Sequence, residues 1–220
     1  MKVISYWEAY FSVHSPWDEM RPIDGVAFPT LLEAIRVRYQ FQAAARSPST
    51  QPFNLMTPVF QTGAFVVGDK SNVVNVCDFQ MAGILVGAST TEHAKEFAVD
   101  LFDFLEKAFG FRRPPADRKV THRTTMVVEF GFDIESTFGT WNEVADLLRS
   151  VIPSDEPKPV PFGIKFTGAD LNNPNNTEFI FERRTTAPPN AQWIYSQAPL
   201  DTASHEALLR KIETIFAKPG

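Results

Sequence analysis

From Thr125 to Ile134 the side chains fall into two alternating sets. Met126, Val128, Phe130, Phe132 and Ile134 make one; Thr125, Val127, Glu129, Gly131 and Asp133 make the other. Successive side chains of an extended chain point to opposite faces, so this spacing calls for a strand with one face on a core and one toward water. Phe162, Ile164 and Phe166 repeat the pattern, as do Phe179 and Phe181. Half-covered strands of this kind belong to antiparallel sheets. The chain has 20 phenylalanines and 44% hydrophobic residues, which excludes wholesale disorder. Each ring that becomes fully buried contributes roughly 1.5–3 kcal/mol.

Further strands are read at Val59–Val67, Val73–Gln80 and Gly83–Ala88, the first two joined by the turn Gly68–Asn72. Connections this tight make antiparallel neighbours. Helices are read at Thr30–Gln42, where Leu31, Leu32, Ile35 and Tyr39 share a face, and at Ser89–Phe109. The second has capping-box spacing at Ser89 and Glu92 and a glycine stop at Gly110. Thr140 and Glu143 repeat that spacing ahead of Val144, Leu147, Leu148 and Val151. A last helix, near Thr202–Ala217, is expected to bury Leu208, Leu209, Ile212, Ile215 and Phe216. Val3, Trp7, Tyr10 and Phe11 recur at helical spacing until Pro16. Loops are expected at Arg46–Pro58, Pro153–Pro161 and Asn172–Asn176. These elements predict an α+β fold: a largely antiparallel sheet with helices packed on one face, a two-layer sandwich. The expectation is a single domain over residues 1–220, with 1–58 as an N-terminal helical and loop extension. There is no tandem repeat, only a loose recurrence of strand and helix.

The net charge of −5 argues against a generic nucleic-acid coat but not against a local basic site. The longest apolar runs, such as Gly83–Ala88, are too short to span a bilayer, and Trp7, Glu8 and Tyr10 interrupt any signal-peptide core. Cys77 is the only cysteine, so an intrachain disulfide is impossible and a reducing cytoplasm is the expected compartment.

Catalytic patterns fail on spacing. Gly63, Gly68, Lys70 and Ser71 approach a phosphate-binding loop, but Asp69 intrudes and a strand follows, so a hairpin turn is the better reading. His205-Glu206 opens a zinc-protease pattern, yet Leu209 stands where the second imidazole belongs. His122-Arg123-Thr124 matches one half of a paired His-x-Thr phosphoesterase arrangement, and no second copy exists. Cys77 reads as an inert core thiol beside Val73, Asn75 and Phe79; Asp100, Asp103 and Glu106 read as solvated charges. No cofactor or metal is implied.

Two basic features stand out. Arg112, Arg113, Arg118 and Lys119 surround one acid with Arg123 close behind, a candidate anion or nucleic-acid contact. Arg183 and Arg184 end a strand, where Arg183 shares the Phe179/Phe181 side. The N-terminal aromatics Trp7, Tyr10, Phe11 and Trp17 are of the kind that anchor interfaces. The leading reading is a non-enzymatic interaction or accessory protein acting through self-association or a protein partner. The alternatives are a nucleic-acid or nucleotide-binding protein using residues 112–123, and a phosphoesterase using His122.

The segments Phe179-Ile180-Phe181-Glu182-Arg183-Arg184 and Tyr195-Ser196-Gln197-Ala198-Pro199-Leu200, with Thr202, His205, Leu208 and Leu209, resemble a group of uncharacterised bacterial hypothetical proteins. The helix at Thr90–Phe109 and the strand Val127–Phe130 look like parts of the same group. The resemblance implies a bacterial or phage origin and carries over no functional residue.

Overall fold

The computed structural model describes residues 1–22, 25–46, 58–67, 69–80, 82–133, 137, 139–151, 161–167, 178–184, 186–188 and 191–216. Most of the loops read at Arg46–Pro58, Pro153–Pro161 and Asn172–Asn176 lie outside the described residues. The chain divides into two compact units. An N-terminal unit takes Trp7–Thr124 and Leu200–Thr202; a C-terminal unit takes Met1–Tyr6, Thr125–Pro199 and the chain from Ala203 onward. The architecture is α+β with antiparallel strand pairing, as the alternation requires.

In the N-terminal unit the strands β1 (Lys2–Val13, from Trp7 onward in this unit), β2 (Ala43–Arg46), β3 (Pro58–Val67), β4 (Lys70–Gln80) and β5 (Gly83–Ala88) lie in the order β2-β3-β4-β5-β1. The helices are α1 (Trp17–Met20), α2 (Phe28–Arg38) and α3 (Thr91–Phe109). Leu31, Ile35 and Tyr39, on and just beyond α2, and Phe97, Leu101 and Leu105 of α3 are buried in one core with Phe60, Phe65, Cys77, Phe79, Ile84 and Val86 of the strands. The Phe97 ring lies 4.7 Å from Tyr39, 5.4 Å from Phe65 and 6.1 Å from Phe41, each edge to face. Such pairs add about 0.5–1.5 kcal/mol beyond burial.

The expected helix at residues 3–11 is strand β1. Ala9, Phe11 and Val13 enter the core from alternate positions, and pairing with β5 (Phe11 opposite Val86) overrides the helical spacing of the aromatics. In β4 a register shift between Val74 and Val76 turns Val74 inward with Cys77 and Phe79 and leaves Val73 exposed, so the expected Val73/Cys77 face is broken at Asn75. α3 is capped by Thr90, whose hydroxyl accepts the His93 N–H, one residue later than read; Gly110 ends it at φ 68°.

In the C-terminal unit the strands β6 (Val120–Glu129, from Thr125 onward in this unit), β7 (Gly163–Thr167), β8 (Glu178–Arg183) and β9 (Trp193–Ala198) lie in the order β6-β9-β8-β7. Its helices are α4 (Gly139–Val151) and α5 (Thr202–Phe216, from Ala203 onward in this unit). Met126, Val128, Phe130, Ile194 and Leu209 make its core, with Phe181 and Ile212 packed against them. Thr125 and Val127 are buried as well, so β6 is covered on both faces rather than half-covered. Ile215 and Phe216, expected inside, are exposed, as are Val144 and Leu147 of α4. α4 begins at Gly139, before the Thr140 read as its cap.

The loose recurrence of the sequence is a repeat of topology. Strand, helix, three strands, helix occurs first as β1, α2, β3, β4, β5, α3 and again as β6, α4, β7, β8, β9, α5. In each run the last strand lies beside the first. The first run carries α1 and β2 in addition.

Candidate functional site

The cations read as one basic site are divided by the fold. Arg113 pairs with Asp103 and, at 2.7 Å, with Glu106 of α3; Arg118 pairs with Glu19. Asp103 and Glu106 are therefore ion-pair partners rather than purely solvated charges, and Asp100 binds the Tyr39 hydroxyl at 2.7 Å and Arg38 at 3.1 Å. Burial, reinforced by that hydrogen bond, raises the Tyr39 phenol above its ordinary value. The Arg123 guanidinium lies over the Tyr10 ring, 4.6 Å from its centroid. Among the described residues, no acid lies within ion-pair reach of Arg112 or Lys119, both exposed.

The N-terminal aromatics do not form one surface. Phe11 is in the core, Trp7 is exposed, and Tyr10 takes the opposite strand face. Its ring lies across Gly87, where a Cβ would come within 3.0 Å of it. Partial burial raises the Tyr10 phenol, with Glu8 pushing the same way and Arg123 opposing. Trp17 lies in α1, and its side chain is outside the described set.

The histidines are dispersed. The His122 ring packs 5.5 Å from Phe11 with Nδ1 buried and without a hydrogen-bond partner among the described residues; His14 bonds Thr121 through Nε2 at 3.0 Å. His205 is fully buried, 2.9 Å from the Ser196 hydroxyl and under the Phe179 ring. Burial raises the Cys77 thiol above its ordinary value. Among the described residues no group of His, Cys, Asp or Glu is placed to hold a metal ion. No described helix is long and apolar enough to cross a membrane.

In the C-terminal unit Arg183 and Arg184 line a shallow cleft of about 270 Å³ with Phe162, Ile180, Glu182 and Tyr195. Glu182 and Tyr195 are register partners across β8 and β9, so a carboxylate sits among the guanidinium groups.

Beside this cleft runs the feature that sequence reading missed. β7 ends its sheet, bonded to β8 on one side and to no strand on the other among the described residues. Ile164 lies opposite Phe181 and Phe166 opposite Phe179, on the face where Phe179 meets His205. Yet Phe166 is 60% exposed, Phe162 43% and Ile164 37%. The Arg183 N–H donates to the Phe162 carbonyl at 2.9 Å, so Phe162, Ile164 and Phe166 spend their backbone groups on β8. Gly163, Lys165 and Thr167 therefore turn theirs to the outer edge. In the first run of the repeat the corresponding strand, β3, is covered twice over. β2 pairs with its edge from Ala43/Gln61 to Arg46/Pro58, and Phe60 and Phe65 are buried in the core that α2 shares.

Comparison with known family models, curated proteins and solved structures returns no match to this chain.

Proposed function

We propose that the protein acts by binding a polypeptide along the outer edge of β7, as an interaction or accessory factor. The observation that carries this reading is the uncovered row Phe162, Ile164 and Phe166 on a strand whose outer backbone groups lack a strand partner among the described residues. An open edge supplies hydrogen bonds to an incoming strand, and alternate side chains supply the contact surface. An exposed apolar row at such an edge marks a place where something docks. The same topology in the N-terminal unit serves as an internal control, since β3 carries its own covering and exposes no comparable ring. The basic segment supports nucleic-acid binding less well, because acids of this chain already neutralise Arg113 and Arg118.

The test is a photo-crosslinking amino acid placed at Phe166 in the native host. One discrete protein adduct at 166, absent when the crosslinker replaces Val99 on the exposed side of α3, is the expected result. No adduct at 166 would end this reading.

A further inference from the structure

We infer that the occupant of the β7 edge is a second copy of this chain, its own β7 running antiparallel about a twofold axis at Ile164. This names the partner within the interaction reading above and rests on it. The sequence of the strand is complementary to itself in that register. Phe162 meets Phe166 of the second copy, Ile164 meets Ile164, and Phe166 meets Phe162, so all the exposed apolar side chains of the strand find apolar partners on one face. On the other face Lys165 meets Gly163, and the two lysines never oppose each other. An edge lysine ordinarily blocks strand addition. Here its ammonium is held 2.6 Å from Glu178, and the residue facing it has no side chain.

The backbone agrees with the side chains. Gly163 and Lys165 are the residues whose amides and carbonyls face outward, and this register sets each opposite the other as a hydrogen-bonded pair. Pro161 falls opposite Thr167, where its carbonyl can accept the Thr167 N–H; having no N–H of its own, it leaves the Thr167 carbonyl unpaired and ends the ladder there. Ile164 then occupies a non-hydrogen-bonded position with its Cα about 4.5 Å from its copy. Moving the axis along the strand is worse in a definite way. An axis at Gly163 leaves Phe166 with nothing opposite among residues 161–167, an axis at Lys165 stacks two ammonium groups, and an axis at Phe166 leaves Phe162 with nothing opposite among the same residues. A contact this short is at the small end of specific interfaces, so the dimer is expected to be concentration-dependent.

The experiment is oxidation of purified Ile164→Cys by diamide. Cys77 is buried and remains out of reach. The Cα separation at the axis suits a disulfide, so rapid formation of a covalent dimer is expected. Mixing Phe162→Cys with Phe166→Cys should give the mixed dimer, and Lys165→Cys should cross-link at least tenfold more slowly than Ile164→Cys. Light scattering of the unmodified chain should show mass rising with concentration, and Phe166→Glu should weaken association at least tenfold with an unchanged circular dichroism spectrum. A chain that stays monomeric and unlinked overturns the second copy, as does preferential linking through Lys165→Cys. If the adduct at Phe166 in the host then holds a different protein, the edge remains a docking site and only its occupant was wrong; if there is no adduct either, both readings fall.

Discussion

The Ser196 hydroxyl and Nε2 of His205 lie 2.9 Å apart in a hydrogen bond with both residues wholly buried, a serine of β9 and a histidine of α5 joined inside the C-terminal unit. Both side chains lie beneath the surface, so the bond holds α5 on its sheet.

That burial makes acid stability depend on His205. Desolvation lowers the imidazole from 6.5 to about 4. The folded state therefore resists a proton that the unfolded chain accepts, and unfolding takes up a proton between those values. The stability is fully present above the unfolded value near 6.5 and is lost as pH falls toward 4. The contribution is on the order of 3 kcal/mol. Urea unfolding at several pH values should show His205→Gln with a flatter slope than the parent chain in that window. Equal slopes would show that the imidazole is not held neutral.

Thr91 and Thr202 each donate a backbone N–H to the other's hydroxyl oxygen, at 3.0 and 2.8 Å, and both are buried. Each side chain serves an orphan amide at a helix start, and removing either leaves a buried donor unpaired. Thr91→Ala and Thr202→Ala should each cost about 1–3 kcal/mol. The double variant should cost much less than their sum, because each change breaks the same reciprocal pair. Additive losses in chemical denaturation would contradict the coupling.

Gly83 sits at φ 153°, and a Cβ there would stand 2.0 Å from the Val13 carbonyl oxygen. Neither the backbone angle nor the space admits a side chain, and the obstacle is main chain that cannot swing aside. Gly83→Ala should destabilise by more than about 3 kcal/mol, beyond the usual range for a surface turn. A thermal midpoint within a few degrees of the parent would show that β1 and β5 can part at low cost.

The parts of this fold legible in the sequence are those with local causes. α3 announces itself through its apolar stripe, its capping hydroxyl and Gly110; β3 to β5 do so through alternation and short turns. β1 was misread because Val3, Trp7, Tyr10 and Phe11 satisfy a helical period, whereas the burial that decides the matter belongs to Ala9, Phe11 and Val13 at period two. β2 is Ala43-Ala44-Ala45-Arg46, which has no strand propensity and exists by pairing with β3. For the basic site, sequence showed cations close together. It did not show Asp103 and Glu106 returning from α3 to meet Arg113, nor Glu19 meeting Arg118. At β7 the alternation gives the shared face of Ile164 and Phe166, but the expectation that this face meets a core is overturned by their exposure. A period-two pattern states which side chains lie together and is silent about what lies above them, so the uncovered row could only be found in three dimensions.

The last prediction turns on that difference between covered and uncovered rings. Phe60 and Phe166 lie in corresponding strands, β3 and β7, in the two runs of the same topology. Phe60 is fully buried, 5.0 Å from the Phe41 ring and 6.0 Å from that of Phe79. Truncating it removes apolar contact and leaves a cavity, which costs about 3–5 kcal/mol. Phe166 is 60% exposed, so Phe166→Ala leaves no cavity and should change the stability of the dilute monomer by less than about 0.5 kcal/mol. At concentrations where copies pair, the same change should lower the unfolding midpoint, because it removes association that stabilises only the folded chain. Denaturation measured at both concentrations separates the cases. A large loss at high dilution would mean that the Phe166 ring is part of a core after all, and the β7 edge would then have no free surface to offer.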